Sequence, residues 1–165
     1  MSGETHRIRD RLPVFGSMLL LTTGLTVLDQ YTKLFAARRL QEKPYVLAEG
    51  VFELRYTENH GAAFSILQNR QWLFILIAVI FLTAILVWQL LLPAKRSVLG
   101  LRIILAVLAA GAAGNLMDRI MLGYVRDFLY VRAINFPVFN LADIYVTVSA
   151  VLLVLWVLFS DREKQ

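Results

Sequence analysis

Four stretches, each of about twenty largely apolar residues, limit what this chain can fold into. They run roughly over 12–31, 72–92, 98–117 and 141–159. A helix of ~20 residues crosses the ~30 Å hydrocarbon core of a bilayer, so each stretch has the length of one crossing. Lipid offers no hydrogen bonds to an open backbone, which makes helices the expected form. The chain therefore reads as a mostly α membrane protein, a four-transmembrane-helix bundle with residues 1–165 forming a single integral membrane domain. Its 58% hydrophobic content and mean hydropathy of +0.63 lie well above a soluble domain's usual values. The first stretch follows Arg7, Arg9 and Arg11, as the apolar part of a signal peptide would. No A-x-A-like site directly follows its apolar part, so it reads as retained.

Two non-spanning segments, 33–71 and 118–140, fall on one side of the membrane. In the first, Phe52, Leu54 and Tyr56 alternate with Glu53, Arg55 and Thr57, the period of a half-buried strand. "ENHG" reads as a turn leading to a second short strand from Ala62 to Leu67. A small β-sheet between the first two helices is the expectation. Arg7, Arg9, Arg11, Lys95, Arg96, Arg162 and Lys164 fall on the opposite side from Lys33, Arg38, Arg39, Lys43, Arg55, Arg70, Arg119, Arg126 and Arg132. Raw count favours the second group as cytoplasmic. Density in short segments beside the spans, where the positive-inside rule acts most strongly, favours the first.

Several chemistries drop out. The chain has no cysteine, and His6 and His60 stand in no metal-binding spacing. A net charge of +5 is scattered, which suits lipid headgroups and speaks against nucleic acid as a partner.

Polar residues inside the spans carry more information, because such groups face the bundle interior or a water-filled cavity. Thr22, Thr26, Asp29 and Lys33 form one stripe at helical spacing. Gly111, Asn115 and Asp118 form a second, and Asn140, Asp143 and Thr147 a third. All three lead to the end of the bundle that carries the two long segments. Simpler readings stand beside the functional ones. Thr22 and Thr26 read as packing hydroxyls bonded to their own backbone. "AAGAAGN" reads as a small-residue packing surface. Asp118 beside Arg119 reads as an ion pair at a helix end, and His60 as a turn residue. Either Asn140 or Asp143 can cap the last helix, but a single cap explains one of them and not both.

Asp127, in "YVRDF", lies among apolar residues, and an adjacent Arg126 in an extended segment points to the other face. If Asp127 and Asp143 meet, two close carboxylates share one proton. The ionised one can take a proton from water while the protonated one hydrogen-bonds a scissile carbonyl and later protonates the leaving amine. The same acids, joined by Asp29 and Asp118, could instead relay protons through a transporter. Ser65 and Lys33 belong to no nucleophile motif.

Five ordered blocks then bear on the choice: "LDQYTK" (28–33), "ENHGAAFS" (58–65), "AGNLMDR" (113–119), "GYVRDF" (123–128) and "FNLAD" (139–143). Through nearly its whole length the chain resembles the lipoprotein signal peptidases, also called signal peptidase II. The resemblance implies a bacterial membrane aspartic protease of four transmembrane helices in the cytoplasmic membrane. Both termini would be cytoplasmic and the active site would face outward. A small sheet over 44–67 would rest on the membrane and cradle substrate. Substrates would be prolipoproteins with a diacylglyceryl group on the lipobox cysteine, cut immediately before that cysteine. The resemblance makes Asp127 and Asp143 the catalytic pair. Asn59, Gly61, Asn115, Asp118, Arg119 and Asn140 match supporting or substrate-binding positions, while Asp29 and Lys33 match structural ones. No cofactor or metal is expected, and the enzyme is expected to work as a monomer among membrane lipids. His60 and Ile144 depart from the residues commoner after Asn59 and Asp143, without removing a catalytic group.

Overall fold

The computed structural model describes residues 2–61 and 71–160, with side chains described over 11–61 and 71–159. Helix α1 (Ser2–Arg39) is followed by strands β1 (Tyr45–Ala48) and β2 (Phe52–Asn59), then helices α2 (Gln71–Leu91) and α3 (Leu99–Leu122), strand β3 (Val125–Val131) and helix α4 (Leu141–Ser160). Four helices are long and apolar enough to cross a membrane, over Arg11–Arg39, Gln71–Leu91, Arg96–Leu122 and Leu141–Phe159.

Chain chemistry sets the limits of these helices. Pro93 follows the last turn of α2 and cannot continue it. Gly123 (φ 79°) takes the left-handed cap of α3, its N–H donating to the Arg119 carbonyl at 3.2 Å, which frees the chain to leave as β3. The first helix runs past the expected end at Tyr31. Its extra turns are held from outside the bundle, where Ala36 and Leu40 pack on Phe128 of β3.

Helix α3 is central and packs against α1, α2 and α4. Half of its apolar window (50%) is buried, against 6%, 11% and 11% for the other three helices. The outward faces of those three, with Leu20, Ile80 and Leu158 exposed, suit a surrounding of lipid. The "AAGAAGN" segment permits the close approach. A side chain on Gly111 would meet the Ala142 carbonyl and Val146 of α4, and one on Gly114 would run into the Asp29 carboxylate of α1. The packing reading of this segment holds. Thr26 bonds its own backbone at the Thr22 carbonyl (2.9 Å), as expected, and also approaches the Ala110 carbonyl of α3 (3.4 Å). Thr22 departs from expectation by reaching across to the Ala106 carbonyl of α3 (3.0 Å), a bond the small residues of α3 allow.

At the opposite end of the bundle the sequence reading missed a buried cation. Arg102, 1% exposed, donates to the carbonyls of Gln89 (3.0 Å) and Leu92 (2.7 Å), and Gln89 Nε2 returns a bond to the Arg102 carbonyl (2.7 Å). A guanidinium on the last carbonyls of α2 satisfies orphan acceptors at the negative end of the helix dipole.

The sheet is antiparallel in the order β1-β2-β3. It differs from the expectation of a sheet built only between the first two helices, because β3 comes from the segment between α3 and α4. Asp127 lies on this strand, opposite Thr57, with Asn59 opposite Val125. The alternation over Phe52–Thr57 does mark a strand, with a bulge between Leu54 and Thr57. The second strand expected from Ala62 to Leu67 lies outside the described residues.

Candidate active site

The first turn of α4 holds Asp143 in place. Asn140 Oδ1 accepts the Asp143 N–H (2.9 Å), and Asp143 Oδ2 accepts the Asn140 N–H (3.1 Å). This is a reciprocal capping box in which each residue satisfies a free donor of the other. The expectation that one cap explains only one of the two residues is therefore corrected. The cap uses the Asn140 oxygen and leaves its amide nitrogen free, and that nitrogen turns to Asp127 Oδ1 (2.6 Å) and Asn115 Oδ1 (3.1 Å).

The other approach is made by β3. A backbone bridge pairs Leu129 with Phe139 (Leu129 N–H to Phe139 O 2.8 Å, Phe139 N–H to Leu129 O 3.0 Å), which brings Asn140 alongside Asp127. From β2, Asn59 Nδ2 donates to Asp127 Oδ2 (3.0 Å) while Asn59 Oδ1 accepts the Gly61 N–H (3.0 Å). Gly61 thus fixes the amide of Asn59. From α3, Asn115 Nδ2 donates to Asp143 Oδ1 (2.8 Å). Asp127, only 2% exposed, and Asp143 are therefore joined through one residue, Asn140, by its side-chain amide on the first carboxylate and its backbone N–H on the second. Burial, and then the negative charge of Asp143, push the Asp127 carboxyl up to about 7 despite hydrogen bonds from Asn59 and Asn140 and the charge of Lys33.

Beneath the pair lies a buried charge network. Lys33, with no exposed surface, bonds Asp29 Oδ2 (3.0 Å) and Asn115 Oδ1 (2.8 Å) and lies 3.7 Å from Asp118 Oδ2. Asp29 Oδ1 accepts the Ala142 N–H (2.9 Å), a second free donor at the start of α4. Asp118 is not the partner of Arg119. It accepts two side-chain bonds from Arg126, Nη2 at 2.6 Å and Nε at 3.1 Å, and the Arg126 backbone N–H at 2.9 Å. The expected Asp118–Arg119 pair is thus corrected: side chains one apart on a helix diverge, whereas β3 returns Arg126 directly over Asp118. Arg119 instead lies over the Phe74 ring of α2 (5.2 Å), with Nη1 on the Asn115 carbonyl (3.3 Å). Its Nε is buried and has no partner among the described residues, and Asp143, Asp127 and Asp118 are the acids whose charges reach it.

All ten residues singled out from the sequence fall in or directly beneath this cluster. His60 is an exposed turn residue whose ring lies 5.4 Å from Tyr124. Gln30 and Arg126 were missed. Gln30 Nε2 donates to Asp118 Oδ1 (3.1 Å) and the Gly114 carbonyl (3.0 Å), and Gln30 Oε1 accepts from Arg126 Nη2 (2.9 Å). Two signals were available. Gln30 follows Thr26 by four residues, so it fits the polar stripe as well as Asp29 does. Arg126 points away from Asp127 along the extended segment, and the face it turns to is the one that meets Asp118. Among the described residues, no group of three or more His, Asp or Glu side chains is arranged to hold a metal.

The acids gather at one end of the bundle and are not spread through its depth, so the transporter relay loses its footing. What fold and site define is a multi-pass membrane protein with paired aspartates where its helices meet a small sheet. Comparison with known proteins sharpens this. The family model described as signal peptidase (SPase) II matches residues 21–159. The chain is 37% identical over 148 residues to a lipoprotein signal peptidase of Clostridioides difficile, covering 89% of this chain and 98% of that one. It is 40% identical over 148 residues to a lipoprotein signal peptidase of Symbiobacterium thermophilum, covering 88% and 96%. A solved bacterial membrane enzyme superposes with a TM-score of 0.82 at 26% identity, covering 91% of this chain and 92% of that one. The chain belongs to the signal peptidase II family, a family of aspartic peptidases.

Proposed function

We propose that this protein removes signal peptides from diacylglyceryl-modified prolipoproteins, cutting immediately before the lipidated cysteine, with Asp127 and Asp143 as its catalytic pair. The observation that carries this reading is Asn140, whose side-chain amide donates to the Asp127 carboxylate while its backbone N–H donates to the Asp143 carboxylate. Asp127 keeps the shared proton and Asp143 acts as base. As water adds to the carbonyl carbon, Asp143 takes its proton while Asp127 hydrogen-bonds the carbonyl oxygen. When the C–N bond breaks, the Asp127 proton goes to the leaving amine. Transfer of the proton now on Asp143 back to Asp127 resets the pair. Asn59, Gly61, Asn115 and Asn140 orient the carboxylates. Arg119, a cation whose charge reaches both acids, is suited to bind a substrate carbonyl. Asp29, Lys33 and Asp118 hold the framework, and the chemistry asks for no cofactor.

The whole chain works in this reading as one membrane-embedded monomer in the bacterial cytoplasmic membrane, with both termini cytoplasmic and the pair at the outer face. Exposed Tyr45, Val46, Leu47 and Val51 suit a sheet lying against the bilayer surface. A substrate whose acyl chains stay in the membrane arrives already anchored, which lowers the entropic cost of aligning its peptide with the pair. Purified protein is expected to release a product beginning at the lipid-modified cysteine, identified by mass spectrometry, and to leave the unmodified precursor intact. A fluorescent protein that matures only in the cytoplasm, fused after Gln165, is expected to light up. Failure to cut the modified precursor refutes the reaction, and a dark fusion refutes the orientation.

A further inference from the structure

We propose that Lys33 is a positioning residue for the reaction, fixing the orientation of the Asn115 amide and through it the hydrogen bond supplied to Asp143. This rests on the catalytic reading of Asp127 and Asp143 and goes beyond the structural role expected of Lys33. An asparagine side chain can present its oxygen or its NH2 to a neighbour. Asn115 stands between a group that can only donate and one that, when ionised, can only accept. Lys33 Nζ donates to Asn115 Oδ1 (2.8 Å), and Asn115 Nδ2 donates to Asp143 Oδ1 (2.8 Å). In the flipped amide, NH2 would face an ammonium and the Asn140 NH2, and the oxygen would face a carboxylate. The ammonium thus selects the orientation that serves Asp143, and Asn140 Nδ2 reinforces it from the side (3.1 Å).

A buried ammonium needs an acceptor for each of its N–H groups, and the acceptor at Asn115 is the one that connects Lys33 to Asp143. Lys33 divides its bonds between the two, with Asp118 as a more distant third partner. Placed on α1, it links the start of α4, through Asp29, to the base on α4, through α3. The charged groups around the pair are Asp29 and Lys33 from α1, Asp118 and Arg119 from α3, Arg126 from β3 through Asp118, and the two aspartates themselves, while β2 offers the neutral Asn59.

The test must separate positioning from stability, because Lys33→Met alone strands Asp29 as a buried acid, while Asp118 keeps Arg126. The double variant Asp29→Asn/Lys33→Met removes the pair as a neutral unit and is expected to recover much of the thermal midpoint lost by Lys33→Met. Its kcat on a diacylglyceryl-modified prolipoprotein peptide is expected to stay 10–100-fold below wild type, the scale seen when an outer-shell partner is lost, with KM little changed. Lys33→Met alone removes the positive charge and leaves Asp29, which favours the protonated form of Asp127, so its alkaline limb of kcat against pH is expected to move upward. A double variant with kcat within about twofold of wild type overturns the positioning role. In that case an active wild type leaves the catalytic reading standing, whereas an inactive wild type removes that reading itself.

Discussion

Asp127 and Asp143 differ in how the fold surrounds them, and the proposed division of roles rests on that difference. Asp127 is buried on a strand, with two neutral amides on its oxygens and a second acid nearby, so its carboxyl is pushed up to about 7. Below that pH it holds a proton to give; above it the proton is lost, and the donor to the scissile carbonyl goes with it. The kcat/KM profile is therefore expected to fall as pH rises through about 7, and an optimum well above pH 8 would contradict this order of protonation. At this scale the sequence was informative wherever a polar residue stood in an apolar run. Asp29, Lys33, Asn115, Asn140 and Asp143 each stood out because lipid gives a polar side chain no reason to be there. Partnerships were less legible. The match of Arg126 to Asp118 depends on β3 folding back over the end of α3, which spacing along one helix cannot reveal.

Among the elements, α3 is the one whose change should be felt most widely, because its small residues let α1 and α4 approach until side chains of both meet at Gly111 and Gly114. Gly114→Ala places a methyl group where the Asp29 carboxylate lies, and Asp29 holds both Lys33 and the Ala142 N–H. Overpacking of this kind costs about 1–3 kcal/mol, read as a lower thermal midpoint in detergent, and cleavage should slow with it. Ala109→Gly, on the same helix but outside this contact, should not slow cleavage to a similar degree. The helices were legible because twenty apolar residues admit few alternatives in a bilayer. Strand β3 was not. Val125, Asp127 and Phe128 are all buried, so both faces of the strand are covered at its start and the period-two signal disappears. In sequence Asn140 and Asp143 compete as caps, whereas in the fold each caps the other, side chain to backbone in both directions.

Taken whole, the molecule is a helical bundle whose outward faces suit lipid and whose polar interior is concentrated where a three-stranded sheet closes one end. Pieces distant in sequence meet there: α1 supplies the buried cation, β2 an amide, α3 a second amide, β3 one acid and α4 the other. The central claim is that the two acids act as one unit, and the most direct test is cleavage of a diacylglyceryl-modified prolipoprotein by wild type, Asp127→Asn, Asp143→Asn and the double variant under one set of conditions. Each single substitution is expected to lower kcat by about 10²–10⁴-fold, and the double variant should be little worse than either, because groups that work as a pair are not additive. Single variants that retain near wild-type rates, or a double variant whose loss is the product of the two single losses, would contradict a shared-proton dyad.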